Sequence, residues 1–290
     1  MMILVTGASG NVGKMVLQEV AKSGAEHRAM YRSAEEAAKA GSGTETVIAD
    51  FAKPETLKAA LRDVDSVYLV CSPIPDLVQL ESNMIDACVA GGVKHVVLNS
   101  AMGAGDYDKS FPSWHRKVEN KLKGTRLSWT ILRPNSFHQN VVAFYAPTIR
   151  TQGVFYSSMR DAKNSFLDIR DIAAVTAKAL SGGEHAGKTY ELNGPEAISY
   201  TQLAAKISKA TGREAKYVDI PMEAQRKAML EQGTPAWLAT ALLELQQYYL
   251  NGKGGDVDGL LEKLLGRAPI TMERFLAENV SEFRAEAAKA

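Results

Sequence analysis

The run Thr6-Gly7-Ala8-Ser9-Gly10-Asn11-Val12-Gly13 follows an apolar opening segment and precedes an amphipathic stretch, and it constrains this chain more than any other feature. Glycines at three-residue spacing permit a tight turn, close approach of backbone to a pyrophosphate, and close packing of the next helix on the strand. The helix N-terminus then turns free N–H groups toward the phosphates. A glycine triplet alone occurs in many turns, but here it opens a repeating pattern. Strands are expected at 2–6, 27–31, 45–49, 65–71, 94–99 and 127–132, with stretches of helical spacing between them. That alternation makes parallel strands joined by helical crossovers. The nearly all-apolar run from Ser66 to Cys71 reads as a central strand covered on both faces. The expected fold class is therefore α/β, a doubly wound parallel sheet of Rossmann type.

Beyond Pro134 the alternation loosens. Strands are expected near 153–156, 165–168, 189–192 and 215–219, and from Pro221 onward the pattern is mostly helical. The expected division is a dinucleotide-binding domain over 1–220, with 135–160 contributing to a substrate cleft, and a smaller, largely helical substrate-side lobe over 221–290. Gly252, Gly254 and Gly255 interrupt the helices of that lobe and read as a flexible connection.

Charge and composition exclude several classes. Lysine and arginine number 34 against 33 acidic residues, so no polyanion surface is expected. The cluster Arg116, Lys117, Lys121, Lys123 and Arg126 lacks the interleaved aromatics of a single-strand platform and reads as a solvated helix face. No nucleic acid is expected as a direct partner. The five histidines have no ligand spacing, so no metal site is expected. Cys71 and Cys88, in apolar surroundings, read as reduced thiols rather than a disulfide framework. No signal peptide is read at the N-terminus, and no apolar run approaches the roughly 18 residues of a membrane helix. A cytoplasmic location, without a membrane partner, is expected, and a homo-oligomer is compatible with all of this.

Cofactor candidates fall at the carboxyl ends of the strands, where open parallel sheets bind ligands. Thr6, Gly7, Ser9, Gly10, Asn11, Val12 and Gly13 make the turn. The second strand ends Met30-Tyr31-Arg32-Ser33 without the acid that would hold the ribose hydroxyls of NAD(H). Arg32 offers a guanidinium suited to a 2′-phosphate, to which Ser9 could add a hydroxyl, so NADP(H) is the expected cofactor and NAD(H) the alternative. Asp50, followed by Phe51, ends the third strand and either meets the adenine or caps the helix after Pro54. Cys71, Ser72 and Pro73 follow the fourth strand, Ser100 the fifth, and Pro134, Asn135 and Phe137 the sixth.

These residues sit within a wider resemblance. The turn TGASGNVG, ADFAKPETLKAAL around Asp50, WTILRPNSFHQN over 129–140, FLDIRDIAAV over 166–175 and LLGRAPITMERFLAEN over 264–279 occur in the order seen in the NmrA-like branch of the atypical short-chain dehydrogenases, which the chain resembles almost end to end. The resemblance implies a doubly wound sheet with a small lobe. Members of the family include NAD(P)H-dependent quinone, dye and imine reductases, and also nucleotide-binding redox sensors and regulators.

One departure bears on chemistry. Catalytic short-chain dehydrogenases carry Tyr-x-x-x-Lys on the helix after the fifth strand, often with an acid four residues later. Counting back from Glu119 puts His115 at the lysine position and Phe111 at the tyrosine position. A phenylalanine cannot protonate a carbonyl oxygen, so ketone reduction by that route is not expected. His115 is the catalytic candidate, with three readings open: a ribose or cofactor contact, a proton donor to the acceptor, or a polar residue on the helix surface. Phe111, Phe137, His138, Asn140 and Tyr156 are the pocket candidates. Asp168 and Asp171, which flank Arg170, read as structural. Two functions follow: a reductase passing hydride to an aromatic or quinone-like acceptor, or an NADP-binding sensor without turnover.

Overall fold

A computed structural model describes residues 1–41 and 43–284 of the protein. The first part of the chain runs β1 (Met2–Val5), α1 (Asn11–Lys22), β2 (Glu26–Tyr31), α2 (Ala34–Ala37), β3 (Glu45–Ile48), α3 (Pro54–Ala60), β4 (Ser66–Leu69), α4 (Leu77–Gly91), β5 (His95–Asn99), α5 (Ser110–Lys123) and β6 (Ser128–Pro134). The chain continues through α6 (His138–Gln152), β7 (Val154–Ser157), β8 (Lys163–Asn164), α7 (Ile169–Leu180), β9 (Lys188–Leu192), β10 (Ile198–Ser199), α8 (Tyr200–Thr211) and β11 (Lys216–Asp219). It ends in α9 (Met222–Glu231), α10 (Ala236–Leu250), α11 (Leu260–Leu265) and α12 (Met272–Glu278).

Two compact units are interleaved along the sequence. One comprises Met1–Pro134 with Ile169–Glu191, the other Asn135–Asp168 with Leu192–Ala290. Residues 135–168 and 192–220 thus group with the C-terminal helices.

The first unit is organised around a seven-stranded sheet of order β3-β2-β1-β4-β5-β6-β9. The strands from β1 to β6 pair in parallel. Strand order reverses between β1 and β4, and the crevice at such a switch point is where doubly wound sheets take a ligand. Strand residues alternate between the two faces. Leu4, Val67, Leu69, Val96, Leu98 and Ile131 share a core with Leu57 and Ala60 of α3, Met84, Ile85 and Cys88 of α4, and Val118 and Leu122 of α5. On α1 the buried stripe Val12, Val16 and Val20 has helical period, and this helix packs against α7, which buries Ile172, Val175, Thr176 and Ala179.

The second unit is built on α6, α8 and the helices from α9 onward, with two small pairings: β7 with β11 in parallel and β8 with β10 antiparallel. Aromatic rings fill part of its core, with Tyr145 and Phe155 at 4.7 Å between centroids and Tyr200 beside both Tyr145 and Tyr217. The segment 165–168 does not form the expected strand. Its backbone is spent on loops: Ser165 donates to the Gly254 carbonyl at 2.8 Å, Leu167 to Ser136 at 3.0 Å, and Gly194 donates to Ser165 at 3.0 Å. Gly254 is consequently no flexible link. It is buried, and a Cβ there would lie 2.4 Å from the Tyr249 ring.

Candidate functional site

The glycine turn leaves β1 at Val5 and enters α1 at Asn11, and its geometry explains each small residue. Gly7 has φ +60°, a left-handed conformation that side chains disfavour, and a Cβ there would stand 2.7 Å from Val70 Cγ1. A Cβ on Gly13 would lie 2.1 Å from the Gly7 carbonyl oxygen, so the first helical turn can pack onto the loop only without a side chain. Gly10 differs. It is exposed, and a Cβ there would meet only the Gly7 oxygen, at 3.2 Å. No side chain caps α1 and no acid sits in its first turn, which leaves its N-terminal N–H groups and positive dipole end for an anion. Ser9 and Asn11 are exposed beside it, while Val12 faces the core.

Thr6 has a different task from the one its position suggests. It is fully buried, its hydroxyl donates to the Tyr68 carbonyl at 2.8 Å and accepts from the Val70 N–H at 3.0 Å, and its side chain therefore pins β1 to β4.

The ends of β2, β3 and β4 gather Arg32, Asp50 and Cys71. Burial, with a further contribution from Glu81, pushes the Cys71 thiol up to about 12, and Arg32 and Asp50 also act on it, in opposite directions. Arg32 projects into solvent and makes one loose ion pair, 3.9 Å to Glu36 Oε1, of a kind that contributes little. Asp50 Oδ1 accepts the Ala52 N–H at 2.9 Å and so closes the turn leading to α3. Phe51 belongs to the core, where its carbonyl accepts from Asn83 Nδ2 at 2.8 Å. Ser72 and Pro73 are exposed, in a turn closed by the Ile74 N–H on the Ser72 carbonyl at 2.8 Å.

α5 carries His115 on its buried stripe with Phe111, Val118, Glu119 and Leu122, so the histidine is not a surface residue. Burial pushes its imidazole down to about 4 against an opposing pull from Glu119 one turn later, and its Nδ1 has no protein partner. At neutral pH His115 is an uncharged imidazole with one unused ring nitrogen. Phe111 is buried edge-on to Trp114, with centroids 5.4 Å apart.

Around Glu119 lies a network that sequence reasoning missed. Ser100 Oγ donates to Glu119 Oε1 at 2.6 Å, Arg133 Nε donates to the same oxygen at 2.8 Å, Arg133 Nη2 donates to Oε2 at 2.6 Å, and Arg133 Nη1 reaches Glu191 at 2.8 Å. Burial works against the Glu119 carboxylate, but the bonds from Arg133 and Ser100 hold its pKa below the usual range. Ser100 also gives its N–H to the Leu132 carbonyl, while Pro134 has no N–H and its carbonyl accepts from Met102, so neither residue has a free donor. The signal was present: an acid on a mostly apolar helix stripe, and an arginine in a strand, imply a buried pair.

In the second unit, Asn135 is a clasp. Its Nδ2 donates to Asn193 Oδ1 and the Gly254 carbonyl, its Oδ1 accepts from the Ser136 N–H, and only 2% of it is exposed. His138, 1% exposed, stacks near Phe275 with its Nδ1 3.7 Å from Asp168 Oδ2, and is core rather than pocket. Phe137 and Asn140 are half-buried at the start of α6, and Tyr156 is exposed on β7 opposite Val218.

Among the described residues, no group of three or more His, Cys, Asp or Glu is gathered to hold a metal ion, and no helix is long and apolar enough to cross a membrane. A cavity of about 470 Å³ lined by Asp65, Lys94, His95 and Gly182 lies at the opposite ends of the strands from the glycine turn, so it is not the dinucleotide site.

Comparison with known proteins agrees with this arrangement. The sequence model of the NmrA-like family matches residues 1–282. An NAD(P)H azoreductase of Xenophilus azovorans is 34% identical over 98% of this chain and 100% of its own length. A (4-alkanoyl-5-oxo-2,5-dihydrofuran-3-yl)methyl phosphate reductase of Streptomyces griseus is 32% identical over 98% of this chain and 100% of its own. The crystal structure of an NADPH-dependent quinone oxidoreductase from Escherichia coli, complexed with NADPH, superposes with a TM-score of 0.88 at 29% identity, covering 97% of this chain and 99% of that one.

Proposed function

Because the chain belongs to the NmrA-like family, we propose that it is an NAD(P)H-dependent reductase that passes hydride to a quinone, an azo dye or a similar conjugated acceptor, with NADPH the preferred donor. The observation that carries this reading is the glycine turn: an exposed Gly10 and an uncapped α1 offer a pyrophosphate backbone N–H groups that no side chain has taken. The bound dinucleotide supplies a hydride. Arg32, at the end of β2 and free but for its loose contact with Glu36, would hold the 2′-phosphate. Ser9 would add a hydroxyl, and the Cys71–Pro73 turn would border the nucleotide from β4.

His115 works in this site as a neutral hydrogen-bonding group. With burial pushing its imidazole down to about 4, it is not an imidazolium acid at neutral pH, so its unused Nδ1 suits a hydrogen bond to a cofactor hydroxyl better than protonation of an acceptor oxygen. Phe111 gives no acid either. A conjugated acceptor that takes hydride without strong acid assistance matches that deficit, and orientation of the reactants then carries most of the rate.

The same Phe111 favours the second reading, an NADP-binding sensor without turnover. One experiment separates the two. NADPH is titrated by fluorescence and its oxidation is then followed with a panel of quinones and azo dyes. Turnover with any acceptor supports the reductase; saturable binding with no oxidation across the panel supports the sensor.

A further inference from the structure

The inner stripe of α4 reads Leu77, Glu81, Met84, Ile85, Cys88, and one member does not belong. Glu81 has no solvent exposure, and neither carboxyl oxygen has a hydrogen-bond partner. Burial raises its pKa well above the carboxylate range and so favours the uncharged acid, whose two oxygens stand without partners. Buried polar groups without partners are rare because each costs its desolvation, and an apolar residue would suit the Leu57, Met84 and Val118 core better. Positions that break a local rule without repayment in stability concentrate at functional sites.

What Glu81 faces gives the reason. The Cys71 amide lies against its carboxyl, short of hydrogen-bond geometry, and the carboxyl in turn acts on the Cys71 thiol. Cys71 begins the turn after β4. Just upstream, Val70 is clasped to the glycine loop, through its N–H on Thr6 Oγ1 at 3.0 Å and its side chain against Gly7. Just beyond, Arg32 and Asp50 lie close enough to act on the thiol. One side of this short segment is thus fixed to the glycine loop, and the other rests on Glu81.

We propose that Glu81 is a positioning residue for the dinucleotide: its buried carboxyl seats the Cys71 amide and so fixes the Cys71–Pro73 turn beside the glycine loop, the bond closing when the turn settles on a bound nucleotide. This rests on the reading of that loop as the NADPH site. Glu81 touches no cofactor itself.

The test compares full-length wild type, Glu81→Gln and Glu81→Leu in three measurements: thermal midpoint, NADPH affinity, and the rate at which iodoacetamide alkylates Cys71, located by peptide mass. Glu81→Leu should keep or raise the midpoint, yet weaken NADPH binding roughly two- to tenfold, the worth of one hydrogen bond, and speed Cys71 alkylation. Glu81→Gln, which still accepts from an amide, should restore both toward wild type. Wild-type affinity and alkylation in Glu81→Leu would overturn the proposal. Should Glu81→Leu not fold, Glu81→Met takes its place; failure of both to fold would make Glu81 a fold residue and overturn the proposal equally. If wild type itself binds no NADPH, the functional reading has failed, and alkylation alone decides: equal rates in wild type and Glu81→Leu reject the seat, and a faster rate corrected by Glu81→Gln retains it.

Discussion

Arg133 on β6 grips Glu119 on α5 with both ends of its guanidinium fork, Nε to Oε1 at 2.8 Å and Nη2 to Oε2 at 2.6 Å, and leaves only 1% of the acid's side chain exposed. Breaking such a pair by removing one partner strands a buried charge. Arg133→Met should therefore destabilise the protein by about 3 kcal/mol, and Arg133→Met with Glu119→Met should recover much of the loss. Urea unfolding of both variants checks this; a double variant as unstable as the single one would show that the pair contributes more than mutual compensation.

His115 sets a pH dependence. Its folded pKa, pushed by burial from 6.5 to about 4, lies below the unfolded value, so folding resists protonation there. The stability is fully present above about 6.5 and is lost as pH falls through about 4, on the order of 3 kcal/mol over that window. In His115→Leu the curve of unfolding free energy against pH should be flatter over the same range. Parallel curves for variant and wild type would show that His115 does not supply the slope.

The glycines should separate fold from binding. Gly10→Val places its side chain where only the Gly7 oxygen stands nearby, so the chain should fold normally and lose NADPH binding. Gly13→Val drives a side chain into the Gly7 carbonyl, 2.1 Å from the ideal Cβ, and should lower the thermal midpoint as well. Calorimetry and thermal melts on both variants test the contrast, and unchanged NADPH affinity in Gly10→Val would remove the pyrophosphate from this turn.

Cofactor preference rests on Arg32. A hydrogen bond to a charged group contributes roughly 1.5–3 kcal/mol, so Arg32→Ala should weaken NADPH binding by about tenfold or more. NADH should be affected far less, and the wild-type preference should decline with salt because the guanidinium is exposed. Ser9→Ala should act in the same direction more weakly. Dissociation constants for both cofactors decide it: equal losses for NADPH and NADH in Arg32→Ala would mean that the arginine does not read the phosphate.

The parallel sheet was legible because its information is local. β1, β4 and β5 are short apolar runs, α1 carries an apolar stripe of clear helical period, and the glycine turn announces its own geometry. The expectations that failed concern long-range partners. Asn135 reads as a cofactor candidate, but its amide bonds to Asn193 and Gly254, and His138 reads as a pocket residue, but Phe275 and Asp168 lie beside its buried ring. Residues 165–168 have strand composition, but their backbone partners are loops at Ser136, Gly194 and Gly254. His115, on a helix with many charges, could be placed inside only by recognising that Glu119, on the same stripe, is paid for by Arg133.

The packing of α7 on α1 has a consequence for synthesis. A ribosome releases α1 early, yet its cover, Ile169–Leu180, emerges only after residues 135–168, which belong to the other unit, have been made. Until then the α1-bearing layer lacks its neighbour, and a nascent chain halted near Pro134 would leave the apolar residues that meet α7 open to chaperones or to self-association. Neither unit can therefore be obtained as one uninterrupted fragment, and a circularly permuted chain beginning just before Ile169 would bring α7 out ahead of its partner helix rather than long after it.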